Sequence, residues 1–106
     1  MKYVFDLDGT LCTSVGSDYS LAEPKFSRIE VVNTLYDEGH RIVILTARGM
    51  GRSNDDPRIA SQLFEELTRE QLRLWGVKYH SLVMGKPAGD IYIDDKGERD
   101  HDFFKD

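Results

Sequence analysis

The feature that most constrains the fold is the uninterrupted aliphatic run from Ile42 to Leu45, inside the segment Arg41 to Thr46. Such a run leaves the strand no polar face, which is typical of a central parallel strand covered on both sides. A β-rich segment, Lys2 to Asp6, precedes it, and Lys78 to Met84 and Ile91 to Asp94 follow it. We therefore predict four strands.

Two helices are predicted between these strands. Ser27 is a helix-capping residue with Glu30 three positions later, and Gly39 is a stop signal, so the first helix should span Ser27 to Glu38. The second helix ends at Gly76 and carries apolar residues at helical spacing that we expect in the core. These residues are Ile59, Leu63, Leu67, Leu72 and Trp75. Alternating strands and helices predict an α/β three-layer sandwich with a mainly parallel sheet.

One connection is short for this architecture. Only Gly85 to Asp90 separate the third and fourth predicted strands, whereas parallel neighbours normally need a crossover of about a dozen residues. Either the third strand is irregular and its crossover is compressed, or Lys78 to Met84 is not a full strand.

Length and composition narrow the class of protein. The 106 residues carry 14 basic and 19 acidic side chains, for a net charge of −5. This length predicts one domain over residues 1–106 without a separate cap domain, and the acidic balance disfavours a broad grip on nucleic acid. No apolar run approaches the roughly 20 residues of a spanning helix, and Asp6 and Asp8 interrupt any signal-peptide core. We expect a cytoplasmic protein that makes no use of a membrane.

Cys12 is the single cysteine. It cannot form an internal disulfide or supply a multi-cysteine metal site. We expect it to pack as a small apolar residue, with a nucleophilic thiol as the alternative because spatial neighbours are not visible in sequence.

Polar residues stand at the carboxyl end of each predicted strand. They are Asp6, Asp8, Thr46, Lys86, Asp94 and Asp95. Ligands of open α/β sheets bind at this edge. Converging carboxylates repel one another unless a cation lies among them, and an all-oxygen set suits a hard ion such as Mg²⁺. A lysine and a threonine hydroxyl beside that set supply the positive charge and the donors that a transferring phosphoryl group needs.

Four segments resemble the motifs of the haloacid dehalogenase (HAD) superfamily, in that family's order. They are Phe5 to Leu11, Leu45-Thr46, Lys86-Pro87 and Ile93 to Asp95. The resemblance implies a HAD-like Rossmannoid core and Mg²⁺-dependent phosphoryl transfer through an aspartyl-phosphate. A further likeness to small capless members from capsule and surface-polysaccharide biosynthesis implies a sugar or polyol phosphate as the substrate.

The resemblance also implies roles for single residues. Asp6 would be the nucleophile, and Asp8 would protonate the leaving oxygen and then activate water. Thr46 would donate to the phosphoryl oxygens, and Lys86 would offset the charge of Asp6 and the phosphate. An aspartate at position 8 is the pattern of phosphatases and phosphomutases. A chain without a cap domain favours the phosphatase.

The metal ligands follow from the same resemblance. Asp94 would hold Mg²⁺ together with Asp6 and the backbone carbonyl of Asp8, and Asp95 would be a further or water-mediated ligand. Which of Asp94 and Asp95 binds the ion directly stays open.

Substrate specificity must come from outside these motifs. We expect Arg48, in the loop after the second strand, to grip an anionic group of the substrate. Residues 11–24 form a candidate flap of irregular or hairpin-like structure. Phe103 and Phe104, near the end of the chain, are expected to dock on the body or on a second subunit, so a homo-oligomer is compatible with the sequence.

Three functions are consistent with the sequence. The first is a Mg²⁺-dependent phosphatase of a small phosphorylated metabolite. The second is a polynucleotide-end phosphatase, since a capless site can admit a macromolecular end, although the negative charge opposes it. The third is a non-catalytic metal-binding interaction module that keeps the fold.

Overall fold

Three parallel strands form the central sheet of the computed structural model, which describes residues 1–16 and 18–106. They are β1 (Lys2–Asp6), β2 (Arg41–Thr46) and β3 (Ser81–Met84), in that order across the sheet. Both β1 and β3 pair with β2 in parallel. The prediction of an α/β fold with a parallel sheet is confirmed, and β3 is shorter than the predicted segment.

Helices connect successive strands, as parallel pairing requires. They are α1 (Phe26–Asp37) and α2 (Pro57–Leu74). Both contribute to one apolar core that contains the fully buried side chains of Ile42 and Ile44. Alternate strand residues point to the opposite face, where Val4 and Val83 are 55% and 43% exposed. We predicted a sheet covered on both faces. The face toward the helices is buried, and the opposite face is partly exposed.

The start of α1 differs from the prediction. Lys25 occupies the N-cap position and makes no side-chain capping bond, so Ser27 is not the cap and its predicted capping box with Glu30 is wrong. The backbone N–H of Lys25 donates instead to the carbonyl of Leu11 (2.9 Å), which ties the entry of the helix to the preceding loop. The predicted stop is confirmed, since Gly39 follows the helix with a φ of 95°.

The inward face of α2 matches the prediction at Leu72, which lies in the core, and at Trp75, which packs against it, and differs from the prediction in the first half of the helix. The helix is capped by Asp56, whose carboxylate accepts a hydrogen bond from the backbone N–H of Arg58 (3.0 Å). Ile59 and Leu63 are 42% and 54% exposed, so their assignment to the core is wrong. The buried positions of this helix are Ala60, Thr68, Gln71 and Leu72. Two of these four are polar, because the helix packs against a buried cation described below.

The predicted fourth strand is absent among the described residues. The segment Ile91 to Asp94 has no strand structure, and Ile91 and Ile93 are 78% and 91% exposed. The reason is the short connection after β3, because Gly85 to Asp90 cannot carry the chain across the sheet to a parallel position. Of the two alternatives, the second is confirmed: Lys78 to Met84 is not a full strand, since only Ser81–Met84 pairs with β2.

The end of the chain packs on β1. Helix α3 (Asp100–Phe104) places the rings of Phe103 and Phe104 with centroids 5.7 and 6.0 Å from that of Phe5. Phe5 is itself buried. The expectation that the two C-terminal phenylalanines dock on the body is confirmed.

A buried arginine fastens this end of the chain. Arg28 of α1 is 3% exposed and binds the carboxylates of Asp100 (2.6 Å) and Asp106 (2.7 Å). It also donates to the backbone carbonyl of Thr10 (3.0 Å). The C-terminal segment is thus linked, through one side chain, to the loop that follows β1.

Residues 11–24 form the predicted irregular excursion, which we call the flap. It contains a short 3-10 helix (Tyr19–Leu21) and a backbone bridge between Cys12 and Pro24. Position 17 of the flap lies outside the described residues. No helix in the part of the chain that the structure describes combines the length and apolar character needed to cross a membrane.

Candidate functional site

The carboxyl edge of the sheet gathers Asp6, Thr46 and Lys86. Asp6 and Thr46 are the last residues of β1 and β2. After β3 the chain turns so that the backbone N–H groups of Gly85 and Lys86 both donate to the carbonyl of Thr46 (3.2 and 3.1 Å). Gly85 has a φ of 109°, a conformation that favours glycine. This turn is what brings Lys86 to the ends of the other two strands.

Asp6 has a cation and a hydroxyl as neighbours. The Nζ of Lys86 lies 3.5 Å from its Oδ1, and the Thr10 hydroxyl donates to its Oδ2 at 3.5 Å. Burial raises the pKa of the Asp6 carboxyl above its ordinary value, while the positive charge of Lys86 opposes that rise. Lys86 therefore favours the ionised form of the Asp6 carboxyl.

Asp8 is held by Arg48 through two parallel hydrogen bonds. Nε of Arg48 donates to Oδ2 of Asp8 (2.9 Å), and Nη2 donates to Oδ1 (3.0 Å). The Asp8 side chain keeps 21% of its surface exposed, whereas that of Arg48 has none. A bidentate pair of this kind fixes the plane of the carboxylate as well as its position.

The remaining partners of Arg48 come from α2 and the flap. Its Nη1 donates to the Thr68 hydroxyl (3.2 Å) and to Oε1 of Gln71 (2.5 Å). The ring of Tyr19 covers it, with the guanidinium carbon 4.9 Å from the ring centroid. We predicted that Arg48 grips a substrate anion. The structure gives it these protein partners instead, because it turns inward under the flap.

Thr46 ends β2 in a buried position. The residue is 1% exposed, and its Oγ1 accepts a hydrogen bond from the backbone N–H of Arg48 (3.1 Å). A hydroxyl has one proton and two acceptor sites, so Thr46 keeps its proton for another acceptor.

Two polar residues of the site were missed from sequence. They are Thr68 and Gln71, which were not predicted because the inward face of the second helix was assigned to its apolar residues. A signal was present, since both share a helical face with Ala60 and Leu72. Polar residues on the apolar face of a helix indicate a buried polar partner.

Asp94 and Asp95 do not lie with Asp6 and Asp8. Both are exposed, and the carboxylate of Asp94 accepts hydrogen bonds from the backbone N–H groups of Lys96 (2.6 Å) and Gly97 (2.5 Å). Within residues 1–16 and 18–106, no group of three or more acidic, histidine or cysteine side chains is placed to hold a metal ion. The predicted set of four carboxylates is therefore not assembled.

Cys12 lies inside this network and is fully buried. Burial raises the pKa of its thiol to about 12, and the negative charge of Asp8 adds to the rise. Its Sγ donates to Oδ1 of Asp8 (3.4 Å). A protonated, buried thiol agrees with the packing role and opposes the alternative of a nucleophile.

Among solved structures, the chain is similar to the crystal structure of an MCSG target from Vibrio cholerae. The two share 33% sequence identity with a TM-score of 0.88, over 97% of this chain and 86% of that chain. The chain belongs to the same family as that protein. No protein-family model matches the chain, and no curated protein matches it.

Two other solved structures share the fold at lower identity. One is the Pnkp1/Rnl/Hen1 complex, with 20% identity and a TM-score of 0.60 over 86% of this chain and 30% of the matched chain. The other is the Pnkp1/Rnl/Hen1 RNA repair complex, with 21% identity and a TM-score of 0.59 over 98% and 30%. At these identities the likeness extends to the small α/β fold alone.

Proposed function

We propose that the protein is a HAD-type phosphatase that hydrolyses a phosphomonoester of a small metabolite, with a sugar or polyol phosphate as the substrate class. One observation carries the proposal. Two carboxylates two residues apart at the end of β1 have separate cations, Lys86 on Asp6 and Arg48 on Asp8. Such separation suits two roles, a nucleophile on one side of the phosphorus and a proton carrier on the other.

The reaction would proceed in two steps. In the first, an oxygen of Asp6 attacks phosphorus, and the bond to the leaving oxygen breaks as that oxygen takes a proton from the Asp8 carboxyl. In the second, the Asp8 carboxylate accepts a proton from water, whose oxygen attacks phosphorus. The bond to Asp6 then breaks and inorganic phosphate leaves. Thr46 and Lys86 would stabilise the charge on the phosphoryl oxygens throughout.

Magnesium dependence is part of this proposal. Mg²⁺ is commonly held by one or two carboxylates together with substrate phosphate and water, which Asp6 and the backbone carbonyl of Asp8 would satisfy. The ion would neutralise phosphate charge. Asp94 and Asp95 would complete the ligand set only in another conformation of the chain, because no three acidic, histidine or cysteine side chains among the described residues are placed together to hold an ion.

The test is hydrolysis of 4-nitrophenyl phosphate and a panel of sugar and polyol phosphates, with Mg²⁺ and with a chelator. We expect Asp6→Asn to lower kcat by about 10³-fold or more, and Asp102→Asn, a change at an exposed position of α3, to leave it unchanged. An inactive wild type, or an Asp6→Asn variant with full activity, would refute the proposal. Equal rates of hydrolysis with Mg²⁺ and with the chelator would show that the reaction does not depend on the metal.

A polynucleotide-end phosphatase is the second candidate, because the chain shares its fold with part of an RNA repair complex. Its net charge of −5 opposes the candidate. A 3′-phosphorylated oligonucleotide compared with the metabolite panel decides between the two. A non-catalytic role would be supported if beryllofluoride, a phosphoryl mimic, formed no adduct on Asp6.

A further inference from the structure

Every hydrogen-bonding edge of the Arg48 guanidinium is directed at the protein. Nε and Nη2 donate to Asp8, and Nη1 donates to Thr68 and Gln71. The side chain has no exposed surface. An arginine has five N–H donors in a rigid fork and cannot accept hydrogen bonds, so a substrate could reach this group only after the network had opened.

The same network joins the flap to α2. Nε2 of Gln71 donates to the backbone carbonyl of Tyr19 (2.7 Å), and the Tyr19 hydroxyl accepts from the backbone N–H of Gly49 (3.3 Å). The Tyr19 ring lies over the guanidinium of Arg48. The cation is therefore held by α2 on one side and by the flap on another. This leaves it little freedom to move with a substrate.

We infer that Arg48 is a positioning residue for Asp8 and makes no contact with substrate. This inference rests on the proposed phosphatase function, because the position of Asp8 matters only if it transfers a proton. Each carboxylate oxygen has two lone pairs. Together with the Cys12 thiol, the fork of Arg48 occupies both lone pairs of Oδ1 and one lone pair of Oδ2. One lone pair of Oδ2 remains for a proton, on a side chain that is 21% exposed. Lysine cannot reproduce this, since an ammonium is a point charge without a planar fork.

A comparison of two leaving groups distinguishes a residue that positions the proton donor from a residue that only supports the fold. A nitrophenolate departs without protonation, whereas an alkoxide must receive a proton as the bond breaks. The measurement is kcat/KM, which reports the first transfer to Asp6, for 4-nitrophenyl phosphate and for the alkyl phosphate of the panel that the wild type hydrolyses fastest. The variants are Arg48→Lys, with Arg58→Lys as a control at a side chain that is 91% exposed.

We expect Arg48→Lys to lower kcat/KM for the alkyl phosphate by about 10- to 100-fold, with about 3-fold or less for the aryl phosphate. Gln71→Leu removes one hydrogen-bond acceptor of the arginine. It should lower kcat/KM for the alkyl phosphate relative to the aryl phosphate by a smaller factor than Arg48→Lys does. It serves as the test variant if Arg48→Lys fails to fold. Equal losses on both esters, or a loss confined to KM, would overturn the inference. A wild type inactive on both esters would refute the phosphatase, and this inference with it.

Discussion

Replacing Gly49 by alanine should destabilise the protein more than the same change at Gly39. Both glycines have a positive φ, 80° and 95°, so both substitutions strain the backbone. They differ in the space around the new methyl group. A Cβ at position 49 would lie 2.7 Å from Cδ2 of Phe64 and 3.0 Å from Cα of Ala60, whereas one at position 39 meets nothing within 4 Å.

The magnitudes follow from these two contributions. The left-handed backbone costs an alanine about 1–2 kcal/mol at either position. Overpacking against Phe64 and the backbone of Ala60 adds about 1–3 kcal/mol at position 49 only. The free energy of unfolding should therefore fall by about 1–2 kcal/mol in Gly39→Ala and by about 2–5 kcal/mol in Gly49→Ala. A difference of 1 kcal/mol corresponds to roughly 4–8 °C in Tm for a domain near this size.

Urea unfolding followed by circular dichroism measures both changes. The double variant Gly49→Ala with Phe64→Leu should recover part of the loss, because the ring supplies the closest contact, and the contact with Ala60 remains. Equal losses at Gly49 and Gly39, or no recovery in the double variant beyond the separate effect of Phe64→Leu, would refute the steric reasoning.

Two further predictions concern titratable groups. Hydrogen bonds from Arg28 hold the pKa of Asp100 and of Asp106 below the ordinary value, so their contribution to stability is complete above about pH 4 and is lost as the pH falls through the lowered values. Thermal unfolding between neutral pH and about pH 3 should show this loss, and Arg28→Gln should show less of it; identical pH profiles would contradict the assignment. Because burial raises the pKa of Cys12 to about 12, the native protein should react slowly with a disulfide reagent at pH 8 and rapidly in denaturant. Fast reaction of the native thiol would show that Cys12 is not enclosed.

Patterns within a few residues were sufficient for much of the fold. The apolar run of β2 gave its strand with the predicted bounds, Arg41 to Thr46, and Gly39 gave the stop of α1. The order of strands and helices then implied that polar residues following the strands meet at one edge, because parallel strands end on the same side. Asp6, Thr46 and Lys86 do gather there.

The sequence by itself thus determined which residues stand at or just after the ends of β1, β2 and β3, because propensity, periodicity and turn chemistry act locally. Only the tertiary structure decided the partners of Arg48. Asp8 is 40 positions away along the chain, and the choice between substrate and Asp8 depends on which groups surround a buried cation. The predicted strand at residues 91–94 failed for a related reason. A strand forms only beside a partner strand, and the connection before it must be long enough to reach that position. The six residues after β3 are too few for a parallel crossover.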